Sequence, residues 1–264
     1  MMTIEESIAS FQPITLEEMS GVKLMNRTDT KFVTTIPQLL RLLAMAGQDY
    51  YVQDIDGERI APYYTLYFDT ADCAMYNAHE WGHTNRQKLR IRSYVNSGLN
   101  FLEVKTKNNH GRTKKKRVLV HEFDPGNPDH SICFHCQNKA FCEYDEFLRS
   151  NLQYDPFSLY EQLENRFDRI TLVNKGMTER LTIDTNLRFH NIVTDNYRFL
   201  DNVAIIELKR DGRVPSPILD LLKQLRIKPH GFSKYCIGSA MTNVDLHCNR
   251  LKPRLHSIER IVAA

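Results

Sequence analysis

Four short stretches of the chain set charged side chains two residues apart within otherwise apolar runs: Lys88-Leu89-Arg90-Ile91-Arg92, Phe101-Leu102-Glu103-Val104-Lys105, Arg180-Leu181-Thr182-Ile183-Asp184 and Ile205-Ile206-Glu207-Leu208-Lys209. Successive side chains of an extended strand point to opposite faces, so each stretch has one apolar face and one charged face. A half-exposed sheet also alternates, but its outer face usually varies among Thr, Ser, Gln and charge. Here Arg and Lys are combined with single carboxylates, a composition suited to a polyanion held with a divalent metal.

Strand-like runs recur near 29–36, 61–69, 86–95, 99–107, 112–121, 165–173, 178–186 and 202–209, with helical segments between them. If the charged faces pointed outward, the apolar faces would meet in one small sandwich and leave the helices little to cover. Pointing inward, they close the strands into a tunnel with a charged lumen and give the helices an apolar outer surface to pack on. The expected fold class is therefore α+β: an antiparallel eight-stranded β-barrel with flanking helices.

The segments Arg27-Thr28-Asp29-Thr30-Lys31-Phe32, Tyr67-Phe68-Asp69-Thr70, Lys88 to Arg92, Phe101 to Lys105, Leu181 to Leu187, Ile206-Glu207-Leu208-Lys209 and Phe232-Ser233-Lys234-Tyr235 resemble, in order, the motifs of the VTC domain. That is the catalytic domain of the vacuolar transporter chaperone polyphosphate polymerases, within the triphosphate tunnel metalloenzyme superfamily. The resemblance implies a triphosphate tunnel fold and a metal-dependent polymerase that transfers the γ-phosphate of ATP to a growing polyphosphate chain, with Mn²⁺ or Mg²⁺ as cofactor. Carried over by position, it implies phosphate ligands at Lys31, Arg90, Arg92, Lys105, Arg169, Arg180 and Lys234, with Ser233 beside the last. The run Lys114 to Arg117 supplies at least one more, Lys116 first with Arg117 beside it, in a register uncertain by one residue. A one-residue slip turns the other face inward. Glu207 is the implied metal ligand, and Glu103 either orients neighbouring bases or joins the metal site. The superfamily's Glu-x-Glu-x-Lys signature is replaced by Arg27-Thr28-Asp29-Thr30-Lys31, a departure shared by the polymerase branch. Fewer acidic ligands give less support to a two-metal hydrolytic site.

Arg offers a planar fork matched to phosphate oxygens and Lys a mobile point charge. Empty, such a lumen is strained: two cations about 6 Å apart repel by roughly 3 kcal/mol at an effective dielectric of about 20. Removing one of them is accordingly expected to leave stability unchanged or slightly raised. Blander readings stand beside these. Glu103 and Glu207 would each neutralise an adjacent Lys, and Ser233 would only cap the helix that begins near it. Three functions remain open: the polymerase, a tunnel-fold triphosphatase acting on inorganic or nucleoside triphosphate, and a polyphosphate-binding module without turnover. A polymerase needs no evident base, because a phosphate acceptor is already an anionic nucleophile.

The 264 residues contain no linker or low-complexity run, so one domain over 1–264 is expected. A net charge of +3 is too small to imply nucleic acid. No run approaches about 18 consecutive apolar residues, and Glu5 and Glu6 stand where a signal peptide would be basic and then apolar. A cytoplasmic location follows as an expectation, with any membrane attachment made through a membrane-protein partner. Helices are expected from Thr15 to Leu24, Pro37 to Ala46, Cys142 to Leu152, from Ser216-Pro217 onward, and from Ser233 through Val244. His130, Cys133, Cys136 and Cys142, with His135 between, include one Cys-x-x-Cys pair, which leaves zinc and free thiols both open.

Overall fold

The computed structural model describes residues 2–20, 22, 27–109, 112–121, 123–127, 139–212 and 214–263. In chain order the elements are α1 (Ile4–Ala9), β1 (Gln12–Ile14), α2 (Leu16–Met19), β2 (Arg27–Thr35), α3 (Ile36–Ala46), β3 (Tyr50–Gln53), β4 (Ala61–Thr70), α4 (Ala74–Glu80), β5 (Arg86–Tyr94), β6 (Leu99–Lys107), β7 (Thr113–Val120), α5 (Lys139–Asn151), β8 (Leu159–Asn174), β9 (Glu179–Asn191), β10 (Asn196–Leu200), β11 (Val203–Asp211), α6 (Pro217–Gln224), α7 (Lys234–Thr242) and α8 (Lys252–Val262). Local chemistry sets many boundaries. Thr35 caps α3 by accepting from the Gln38 amide, and Pro37 sits in its first turn, where the missing N–H costs nothing.

Eight strands run in the order β2-β11-β9-β8-β4-β5-β6-β7, each antiparallel to its neighbours. Short β1 lies parallel to β3, β3 borders β8, and β10 borders β9. Among the described residues no pairing joins β7 back to β2. The sheet thus curls around its charged face as a tunnel without the hydrogen-bonded closure of a full barrel.

Register decides what the tunnel sees. Glu207 stands opposite Lys31 on one side and Thr182 on the other, and Lys209 stands opposite Arg180. Arg169 faces Asp184, Arg90 faces Glu103, and Lys88, Lys105 and Lys115 form a cross-strand row. The intervening residues turn outward into apolar layers. Ile170, Leu172, Leu181, Ile183, Ile206 and Leu208 pack under α3 and α6, and Leu66, Leu89, Ile91, Leu102 and Val104 pack with Tyr144 and Leu148 of α5. Burying each such aliphatic side chain contributes about 1.5–3 kcal/mol, so the outer surface stabilises the curl while the inner surface stays charged.

The third cluster fixes α7. Tyr235, Cys236 and Ile237 pack with Val33, Leu163, Phe189 and Ile205. Asp69, fully buried, accepts from the amides of Met75 and Tyr76 at the start of α4 and from the Tyr235 hydroxyl at 2.6 Å. One carboxylate therefore ties β4, α4 and α7 together. No helix among the described residues is long and apolar enough to cross a membrane.

Several expected boundaries shift. The helix foreseen from Thr15 spans only Leu16–Met19, and the last of the foreseen helices ends at Thr242, with Val244 almost fully exposed. His130, Cys133, His135 and Cys136, together with the Cys142 side chain, lie outside the described residues. Cys73, Cys236 and Cys248 are free thiols.

Candidate active site: a basic bore

The curled sheet encloses a cavity of about 540 Å³ to which all eight strands contribute. Among the described residues, twelve Lys and Arg side chains line it against three carboxylates, Asp29, Asp184 and Glu207. Such an excess of cation has to be held in place, and the carboxylates within and behind the wall do this.

Glu103 is fully buried behind the lining. Arg90 Nε and Nη2 donate to its Oε2 at 2.8 and 2.6 Å, and Lys115 donates to Oε1 at 2.9 Å. Burial alone would raise its pKa, but Arg90, Arg92 and Lys115 outweigh that and bring the carboxyl down to about 2. Asp184 accepts the fork of Arg169, at 2.6 and 2.8 Å, and also the Lys234 ammonium. Its burial is outweighed by Arg169 and Lys234, which hold it well below the usual carboxylate range. Glu207 lies 3.1 Å from Lys209 and 3.9 Å from Lys31, and these cations overcome burial to keep it ionised.

The cations feel the converse. Lys105 is open along the bore, yet enclosure by the walls, then Arg90 and Lys31, push its ammonium down to about 7. Burial brings Lys234 to about 7 against the pull of Asp184, and burial with Arg90 and Arg169 brings Arg92 to about 10. His79, on α4, lines the same space and is pushed down to about 2 by burial and by Lys88 and Arg86, so its imidazole is neutral.

The first turn of α7 reaches into the bore. Ser233 caps it, accepting from the Cys236 amide at 3.3 Å and from Lys88 Nζ at 2.6 Å, while Lys31 Nζ donates to the Phe232 carbonyl at 2.9 Å. Unpaired backbone N–H groups and the positive end of the helix dipole add to this cationic end.

Divalent-metal chemistry can be tested against the donors present. Glu207 is a hard oxygen donor on the lumen face, and Asp29 also lines the bore, opposite Lys209 on the neighbouring strand. Among the described residues no group of three or more His, Cys, Asp or Glu side chains forms a metal site. Mg²⁺ and Mn²⁺ often take one or two carboxylates and complete their shell with phosphate oxygens and water. The donor set fits an ion that arrives with phosphate, not one caged by protein alone. Both oxygens of Glu103 are taken by Arg90 and Lys115.

Of the residues anticipated from sequence, Lys31, Arg90, Arg92, Lys105, Arg169, Arg180, Glu207, Ser233 and Lys234 all line the bore. Lys116 does not: it pairs with Val104, on the outward apolar register, and the lumen position belongs to Lys115. Arg117 shares the inward face but lies beyond the bore, its guanidinium 4.3 Å above the Phe101 ring. Lys88, Lys209 and Asp184 were missed as site residues although their period-two position signals them. Arg86 and Lys107 extend the same period-two series, Lys115 lies in the run Lys114 to Arg117 one residue from the anticipated register, and His79 had no clear sequence signal.

The family model of the VTC domain matches residues 26–243. No curated protein matches in a sequence search. Among solved structures, a putative adenylyl cyclase from Hippeastrum, described as having a dominant triphosphatase activity, is similar with a TM-score of 0.51 and 16% identity over 84% of this chain and 100% of that one. A putative adenylate cyclase from Bacillus halodurans is similar with a TM-score of 0.50 and 14% identity over 79% of this chain and 96% of that one. At these identities the likeness concerns the fold, the curled tunnel sheet.

Proposed function

The chain belongs to the VTC domain family, and on that premise we propose that it is a metal-dependent polyphosphate polymerase, transferring the γ-phosphate of ATP to a polyphosphate chain held in the bore and releasing ADP. The observation that carries this reading is the lining, in which, among the described residues, twelve Lys and Arg side chains from all sides of one cavity stand against three carboxylates. A row of phosphoryl groups is the ligand class that can meet cations from every side at once.

In this reading Arg90, Arg92, Arg169 and Arg180 grip phosphate oxygens with planar forks, and Lys31, Lys105, Lys115 and Lys234 follow them as mobile charges. Glu103 and Asp184 hold Arg90 and Arg169 in fixed orientations, so little reorganisation is needed when charge spreads over the transferring group. Glu207, with Asp29 diagonally across on the neighbouring strand, would hold Mn²⁺ or Mg²⁺, and the ion would draw charge off the phosphate oxygens. Transfer is then a matter of alignment: the terminal phosphate of the chain attacks in line as an anion and no base is required. Among the described residues His79, beside Lys88 and Arg86, and the uncharged fractions of Lys105 and Lys234 are the neutral bases that line the bore, so transfer to phosphate and transfer to water are told apart by product.

Incubation with ATP, Mn²⁺ and a short polyphosphate primer tests the proposal. Long polymer with stoichiometric ADP is expected. Orthophosphate as the main product makes the protein a triphosphatase, and tight polyphosphate binding without any product makes it a binding module.

A further inference from the structure

Toward the Tyr94 end of the bore the inward face changes character, from cations alone to cations laid on rings. Register places Tyr63 opposite Tyr94 and Phe167, and Phe101 opposite Arg92. Ring centroids lie 5.0 Å apart for Tyr63 and Tyr94, 5.3 Å for Tyr63 and Phe167, and 5.9 Å for Tyr94 and Phe101. Arg169 sits 4.8 Å and Arg92 5.7 Å from the Tyr63 ring centre, and both also line the bore. Two guanidinium groups are thus shared between the phosphate seat and the ring set.

Packing does not account for all of these rings. Phe167 and Tyr63 belong to the apolar cluster around α7, but Tyr94 and Phe101 belong to none of the apolar clusters. Both are half-buried, and Arg117, stacked on Phe101, is exposed. Aromatic faces and a guanidinium plane left accessible beside a phosphate site have the chemistry that stacks nucleobases without selecting among them.

We infer that Tyr94, Phe101 and Arg117 form the seat for the nucleobase of a nucleoside triphosphate whose phosphates run inward past Arg92 and Arg169. This rests on the reading that the bore takes a nucleotide donor. Stacking is tolerant of base identity, so ATP and GTP are expected to bind with similar affinity.

The test compares two probes, a non-hydrolysable ATP analogue and inorganic tripolyphosphate, on the wild-type protein and on variants carrying Tyr94→Ala with Phe101→Ala, or Tyr94→Leu with Phe101→Leu, which keep apolar bulk and remove the rings. Loss of stacking should weaken the analogue about tenfold while tripolyphosphate binds unchanged. The adenine H2 and H8 resonances of the analogue should move upfield on the wild-type protein and not on either variant. Equal changes for both probes, no change for either, a wild-type protein that binds only tripolyphosphate, or unshifted adenine resonances would each overturn the seat. Polymer synthesis is scored separately: shifted resonances without polymer remove the polymerase reading and keep the seat, and polymer without a ring effect does the reverse.

Discussion

Glu103 and Glu207 come from similar alternating stretches on the inward face of the sheet, yet their neighbours set them apart. Glu103 is wholly buried with both oxygens engaged by Arg90 and Lys115, so Glu103→Gln leaves two cations against a neutral amide. Breaking a buried pair in this way costs about 3–5 kcal/mol, measurable as a lower denaturant midpoint. The same pairing corrects the expectation that removing a lumen cation is harmless: Arg90→Ala strips Glu103 of its closest partner and should also lower the midpoint. Glu207 is partly exposed to the bore, and among the described residues its ion-pair partners are Lys209 and Lys31, at 3.1 and 3.9 Å. Glu207→Gln should therefore cost less stability, remove most metal-dependent turnover, and leave tripolyphosphate affinity equal or higher, since a negative charge has left a basic cavity. Near wild-type turnover in Glu207→Gln would show that another group holds the ion.

At the scale of elements, α7 is the piece on which the proposed phosphate seat depends, because its start supplies Ser233 and Lys234 while its body is wedged against the sheet. Gly238 makes that wedge possible: a Cβ there would collide with the Phe189 ring and lie 2.8 Å from Leu163. Gly238→Ala should destabilise by about 1–3 kcal/mol and, by lifting the helix, weaken tripolyphosphate binding although it touches no ligand. Unchanged affinity in a destabilised variant would separate the helix body from the seat. The strands β5, β6, β9 and β11 were legible because one apolar and one charged face leaves period two unmistakable. The same signal failed in β7, where Lys114, Lys115, Lys116 and Arg117 put cations on both faces and alternation no longer tells inside from outside. Strands β1, β3 and β10 span three to five residues, too short for a period to register, and α1, α4 and α8 were likewise not foreseen. From sequence Ser233 stood beside Lys234 as a phosphate neighbour and, in the blander reading, as a helix cap. That its helix would enter the bore depends on Asp69 and Tyr235, more than 160 positions apart, a contact no local pattern encodes.

Over the whole molecule, the empty bore is a store of unfavourable charge, and pH should release it in a definite direction. Lys105 and Lys234 titrate near 7 in the folded protein, against an ordinary lysine value of about 10.4 in the unfolded chain. Between these values the unfolded state binds more protons, so stability rises with pH. Below pH 7 both states are protonated and the penalty is fully present. Glu103 acts in the opposite sense at the acid end: its folded value of about 2 lies under the ordinary carboxylate range, so its contribution is intact above about 4.3 and lost as pH falls toward 2. Anion binding should run counter to the alkaline trend. Bound phosphates favour charged lysines, so binding above pH 7 requires proton uptake and affinity falls as pH rises. Thermal melts from pH 7 to 9 should therefore show the empty protein gaining stability while the increment added by tripolyphosphate shrinks, and calorimetry in buffers of different ionisation enthalpy should register the protons taken up. Parallel slopes for the empty and filled protein, or binding without proton uptake at pH 8, would mean that Lys105 and Lys234 are charged before the anion arrives and that the carboxylates alone already balance the bore.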